Sequence, residues 1–225
     1  NDAEQTVNLD FFNPKVGIHH NLNANQAVYV SFAISNREPN RNDFVESTPK
    51  SRPLHETLYD VEMGYQFLGE WLTFGAHVYL MQYKNQLAPT GKINDVGAYT
   101  RTNIEKSFRR GIELEGTLKL VDKLHWASNM TLSQNKIAVF TEYIDNWDTW
   151  RQEKVEHENT DLAFSPSVIW ASQFNLKLSE RTDIDFISKY VGEQFIDNTS
   201  SEDRKLNDYL TNNLRVTYNI KNTWF

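Results

Sequence analysis

The sequence predicts an all-β chain: an antiparallel up-and-down meander of long strands, a fragment of a transmembrane β-barrel, with short turns at one rim and long loops at the other. Three observations predict it. Apolar and polar residues alternate with a period of two through most of the chain, the mark of strands with two unlike faces. The alternating runs extend over roughly ten to thirteen residues, against a usual mode of about 5–6 in globular proteins. Short and long connections also follow one another in strict succession.

The elements can be justified in chain order. PKVGIHHNL is a weaker first member of the set. In AVYVSFAIS, Val28, Val30, Phe32 and Ile34 oppose Ala27, Tyr29, Ser31 and Ser35. TLYDVEMGYQF sets Tyr59, Val61, Met63, Tyr65 and Phe67 against Asp60, Glu62, Gly64 and Gln66. WLTFGAHVYLMQY sets Leu72, Phe74, Ala76, Val78 and Leu80 against Thr73, Gly75, His77 and Tyr79. RRGIELEGTLKL places Ile112, Leu114, Leu118 and Leu120 opposite Glu113, Glu115, Thr117 and Lys119. HWASNMTLSQN, SVIWASQFNLKL, DIDFISKYV and YLTNNLRVTYNI repeat the pattern around Trp126, Trp170, Phe186 and Leu214.

Short turns fall at 21–26, 68–71, 121–124, 179–182 and 220–223, and long polar loops at about 36–55, 85–103, 138–165 and 194–207. Every second connection of a meander lies at the same end, so all short turns share one rim and all long loops the other. Lipid cannot hydrogen-bond a backbone, so a spanning sheet pairs every strand and closes on itself. Its outside is then apolar, its turns tight on one side and its loops long on the other. A soluble sandwich alternates in the same way, and a secreted or surface β-sandwich that binds carbohydrate is the alternative. Strand length and loop asymmetry favour the barrel, with Ile112, Leu114, Leu118 and Leu120 facing lipid. Aromatics near strand ends (Tyr65, Phe67, Trp71, Trp126, Tyr218, Trp224) suit an interfacial girdle.

Composition excludes other classes. The 225 residues carry a net charge of -7 and no cysteine, so there is no disulfide, thiolate metal site or Cys nucleophile. No basic cluster points to nucleic acid. No run approaches the ~18 apolar residues of a membrane helix. Phosphate-binding, zincin and nucleophile-elbow motifs are missing, so neither an enzyme nor a cofactor is expected.

YVSFAISNREPNRNDF, LYDVEMGYQ, VYLMQYKNQLAPTGKINDVGAYTRTNIEKSFRRGIELEG and NMTLSQNKI together resemble the barrel of TonB-dependent outer-membrane receptors of the type common in Bacteroidetes. RGIELE is the most specific piece. The resemblance covers the chain from about residue 14 onward. It implies uptake of a scarce nutrient, such as a siderophore, in the outer membrane, without catalysis. The implied partners are an extracellular ligand, the receptor's own plug domain, the inner-membrane TonB complex and outer-membrane lipid. The whole of 1–225 then reads as a partial barrel domain of about nine strands, against the twenty-two of such transporters. Plug, first strands and last strands are expected outside it. Alone, such a piece is not transport-competent, and its open edges and apolar face invite self-association.

Candidate site residues follow. Glu113 and Glu115, roughly 7 Å apart on the wet face, form a charged lumen patch that the resemblance directs toward basic plug residues; solvated lumen charge is the plainer account. Tyr143, Trp147 and Trp150 in TEYIDNWDTWRQ can stack on a planar or sugar ligand, or on one another. Arg37 and Arg41, in NREPNRNDF with Asp43, can meet an anionic ligand at the outer rim, or pair within their loop. Glu156, His157 and Glu158 in VEHEN offer three metal-type donors but lack a second histidine nearby.

Overall fold

The computed structural model describes residues 6–45, 52–93 and 99–220. Nine antiparallel strands run in an open meander: β1 (Lys15–Asn23), β2 (Gln26–Arg37), β3 (Glu56–Leu68), β4 (Leu72–Ile93), β5 (Tyr99–Val121), β6 (Leu124–Asn146), β8 (Val168–Lys177), β9 (Thr182–Val191) and β12 (Tyr209–Tyr218). Among the described residues β7 (Arg151–Asp161) pairs only with β6, and β10 (Gln194–Phe195) forms a small separate ribbon with β11 (Lys205–Leu206). A five-residue helix, α1 (Arg41–Val45), and a 3₁₀ turn at Glu202–Arg204 interrupt two of the long connections. The short turns lie where the sequence expects them, except that 221–225, with the last expected turn and Trp224, falls outside the described residues.

Register carries each face across the whole sheet. Val30 pairs with Met63, Met63 with Val78, Val78 with Ile112 and Ile112 with Leu132, so one apolar row crosses five strands. One residue along, Tyr29, Gly64, His77, Glu113 and Thr131 form the matching polar row. The apolar rows have no protein against them: Ile18, Val30, Met63, Val78, Ile112, Leu132, Phe186 and Leu214 are all exposed. A sandwich buries such a face under a second sheet, and among the described residues none covers it.

The height of the bare band fits a bilayer. On β5 the outward positions run Leu120, Leu118, Gly116, Leu114 and Ile112 before the first charge, Arg110. Ten residues span about 33 Å along a strand, or about 25 Å in height at the tilt of about 40° common in membrane barrels. That matches the apolar band of outer-membrane barrels.

The long loops are not loops throughout. β4, β5 and β6 are 22, 23 and 23 residues long, about twice the expected length. Among the described residues, β4 beyond Lys84 pairs with β5 alone, and β6 beyond Ile137 pairs with β7 alone. Two ribbons therefore rise above the wall. Pro89 sits in the first, where β4 has become an edge strand and a missing donor is tolerated. The buried apolar cluster lies where the ribbons meet: Ala88 and Ile104 from one, Ile137 and Phe140 from the other, with Leu162 following β7. The apolar face of the wall is bare, and among the described residues the buried apolar cluster lies in the extensions beyond it.

Candidate functional site

At the tip of the β6–β7 ribbon, Asn146 accepts hydrogen bonds from the backbone N–H of Asp148 and Thr149 at 3.0 and 3.1 Å. The turn ends on Trp150 at a φ of 51°, a left-handed conformation that costs a bulky side chain. This geometry brings Trp147 and Trp150 edge to face, with centroids 5.9 Å apart. They nevertheless remain 72% and 81% exposed. The pair is thus an internal cluster and an exposed aromatic surface together. Tyr143, half-way down the ribbon, carries the Lys154 ammonium 5.4 Å above its ring.

The arginines divide. Arg37 donates to Glu56 at 3.2 Å, and Glu56 also accepts the Leu87 N–H at 3.0 Å. Asp43 is held by Arg101, at 3.0 and 3.1 Å, which ties α1 to the β4–β5 ribbon at the level of Pro89. Arg41 is exposed with no ion-pair partner among the described residues. Of the two arginines, Arg41 has the freer guanidinium. The VEHEN segment is a strand, so His157 points one way while Glu156 and Glu158 point the other. His157 Nε2 lies 2.9 Å from Glu142, across the ribbon, and the described residues contain no metal-holding cluster of His, Asp and Glu.

A clasp that the sequence reading did not single out secures the ribbon. Arg204 donates to Glu142 at 2.8 Å and to Asp197 at 2.7 Å, joining the 194–206 segment to β6. Burial pushes both carboxyls up, but the hydrogen bonds prevail and hold them below the usual range: from Arg204 and His157 at Glu142, from Thr199 and Arg204 at Asp197. Depressed carboxyls stabilise above their unfolded values and lose that contribution as pH falls through the folded ones. The clasp is therefore intact at pH 7 and opens only once the pH falls below the usual carboxylate range. Arg204→Ala is expected to cost roughly 1–2 kcal/mol locally, read as faster amide exchange in 194–206 at neutral pH with the barrel wall unchanged.

The lumen wall is hollow and acidic. Tyr29 Oη lies 3.1 Å from His77 Nδ1, and His77 Nε2 lies 3.7 Å from Glu115. These groups, with Glu62, Tyr79, Arg109 and Glu113, line a cavity of about 580 Å³. A second, of about 440 Å³, continues toward the short-turn rim past Gly75, Glu115, Asn129 and Gln173. Glycine makes the room: the Tyr29 ring and the His77 imidazole lie against Gly64, where any Cβ would collide with both. Glu113 and Glu115 thus share one patch, with Glu115 facing a histidine. Tyr29 and His77 belong to the polar sides of their strands in the sequence, but their contact needs the register.

Comparison with known proteins agrees with this architecture. The family model described as TonB dependent receptor-like, beta-barrel, matches residues 1–224. No curated protein matches. Among solved structures, the copper transporter OprC aligns with a TM-score of 0.70 at 14% identity, over 92% of this chain and 31% of that one. The siderophore receptor PiuA from Acinetobacter baumannii aligns at 0.69 and 15%, over 92% and 29%. A mutant of the ferric enterobactin receptor from Pseudomonas aeruginosa, in complex with enterobactin, aligns at 0.67 and 18%, over 93% and 33%. The chain spans about a third of the length of these structures.

Proposed function

Because the chain belongs to the TonB-dependent receptor β-barrel family, we propose that it forms part of the wall of an outer-membrane receptor that imports a scarce nutrient, a metal–siderophore complex being the leading class. Its wall strands span the bilayer with the apolar face outward, and the β4–β5 and β6–β7 ribbons rise on the outer side. The observation that carries this reading is the bare apolar face, about one bilayer tall, beneath ribbons that hold their own protein core. The siderophore class is supported by the neighbouring folds, whose names include siderophore and ferric enterobactin receptors.

Capture begins at the exposed Trp147–Trp150 edge, with Tyr143 below it and Arg41 on α1 offering a cation to an anionic ligand. Further strands close the barrel beyond β1 and β12, whose outer edges are unpaired among the described residues. The plug occupies the lumen against Glu113, Glu115 and His77, and TonB draws on it from the periplasmic side.

Topology is tested in the intact receptor, freed of any other cysteine, with Asp148→Cys and Glu180→Cys made separately. A membrane-impermeant maleimide should label the first on whole cells and the second only after lysis. Equal labelling at both sites overturns the two-rim arrangement. For capture, joint replacement of Trp147 and Trp150 by Ala is expected to weaken siderophore binding about tenfold, aromatic contacts being worth roughly 0.5–1.5 kcal/mol each. Unchanged affinity would remove the pair from the ligand path.

A further inference from the structure

Between its rims, the outward face of β6, β8, β9 and β12 is interrupted once in each strand, by Ser128, Ser172, Ser188 and Asn212. Register sets all four in a single row, which Gly116 of β5 continues. Trp170 and Leu210 flank the row toward the long loops, and Trp126, Phe186 and Leu214 toward the short turns. The wall satisfies most of the row from within. Ser128 donates to the Ala171 carbonyl at 2.9 Å and accepts the Trp170 indole N–H at 3.0 Å. Ser172 accepts the Trp126 indole N–H at 2.8 Å, and Ser188 donates to Asn212 Oδ1 at 2.7 Å. Ser172 and Ser188 are buried, whereas Asn212 is exposed, and its Nδ2 donors meet no acceptor among the described residues. Asn212 stands six residues from Tyr218 and four from Asp208. That places it about 15 Å into an apolar band about 25 Å tall. Lipid offers a polar group nothing at that depth.

We propose that Asn212 is the contact at which a second copy of the receptor docks laterally within the membrane, the two amides pairing across a two-fold axis. Three features select that partner. A primary amide both donates and accepts, so two identical copies satisfy one another. The Oδ1 that takes the Ser188 hydroxyl keeps a second lone pair for the other copy's Nδ2. Copies inserted the same way up share a two-fold axis along the membrane normal, and such an axis keeps every residue at its own height. Asn212 therefore meets Asn212. Leu210, Leu214 and Val216 around it are exposed, but lipid tails match them as neighbours, so hydrogen bonds decide between protein and lipid. Ser188 also holds the amide in place beforehand, which lowers the ordering cost of docking. This contact belongs to the closed barrel and differs from association through open strand edges. The inference rests on the membrane reading above, since in water the amide needs no partner.

The test uses the intact receptor, labelled through Asp148→Cys and diluted into phosphatidylcholine vesicles, with copies counted by single-molecule photobleaching. The receptor with Asn212 in place is expected to bleach in two steps. Asn212→Leu, of similar volume, should raise the dimer dissociation constant roughly tenfold, two hydrogen bonds in hydrocarbon contributing about threefold each. Asn212→Gln retains the amide and should recover most of that loss. Asn212→Leu removes a polar group from a lipid-facing position, so its barrel should insert normally. Ser188→Ala leaves the amide whole and should still dimerise. A single step at every dilution with Asn212 in place overturns the proposal, and means that the amide is satisfied inside its own barrel by a strand beyond β12. Equal dimers from Asn212→Leu overturn this row as the contact. A different membrane protein recovered in equal amount with the unmodified receptor, and lost with Asn212→Leu, overturns the second copy as occupant. A receptor without a heat-modifiable, membrane-inserted barrel defeats the membrane reading itself, and is seen before any copies are counted.

Discussion

Leu114→Arg should strip the receptor of its inserted, heat-modifiable barrel, or lower its folding stability by about 2–4 kcal/mol, the usual penalty for a cation at the midplane of a lipid-facing strand. Leu114 stands midway along the outward row of β5, six residues from Leu120 and four from Arg110. It pairs with Ala76 on one side and Met130 on the other, so no polar group is in register to receive the charge. Glu113→Lys, one residue away, puts a cation on the wet face and should change stability by less than about 1 kcal/mol. The two variants differ in position by a single residue and in expected outcome by almost the whole effect. Folding yield in lipid vesicles and urea midpoints are the measurements. Similar losses in both would mean that neither face meets hydrocarbon.

Gly111→Ala should cost about 1–3 kcal/mol, the range for forcing atoms into a packed site. A Cβ there would lie 2.6 Å from the carbonyl oxygen of Leu132 on the next strand and 2.6 Å from the Tyr79 hydroxyl. The tyrosine can move, but the carbonyl belongs to the β5–β6 ladder. Adding Tyr79→Ala to the variant should therefore recover only part of the loss. Gly17→Ala is the matched control. Its new Cβ would meet nothing nearer than 3.4 Å, and a change within about 0.5 kcal/mol is expected. Equal changes at both positions would mean that the close contacts at Gly111 carry no steric cost, since the loss of unfolded-state freedom on adding a Cβ favours folding at either site. The glycine of RGIELE is thus required by the close approach of Tyr79 and β6, which the string alone does not display.

The wall was legible in the sequence because a face against hydrocarbon tolerates little else than apolar residues, and a period of two records that constraint. The ribbons were not. β7 reads RQEKVEHENTD with Val155 as its only aliphatic residue, since above the membrane both of its faces can be wet and alternation lapses. The segment 85–103 reads as a long polar loop, yet β4 continues through Pro89 along a free edge. In the candidate site, the spacing of Trp147 and Trp150 foretold their contact because one tight turn brings them together. Arg37 with Glu56 and Asp43 with Arg101 were illegible as pairs. Their partners lie 19 and 58 residues apart, and no local pattern fixes such distances.

By itself the sequence determined the class of fold, the two faces of each wall strand, and the rim to which each connection belongs. Those features follow from side-chain transfer energy, which is a property of one residue and its neighbours in the strand. Only the tertiary structure decided how far the strands extend beyond the wall, where the small core sits, and which charges are left unpaired. Register decided these things. It set Lys84 against Lys106, seated His77 between Tyr29 and Glu115, and closed Arg204 on Glu142 and Asp197. A pairing energy belongs to two residues at once, and it exists only when the fold has brought them within reach.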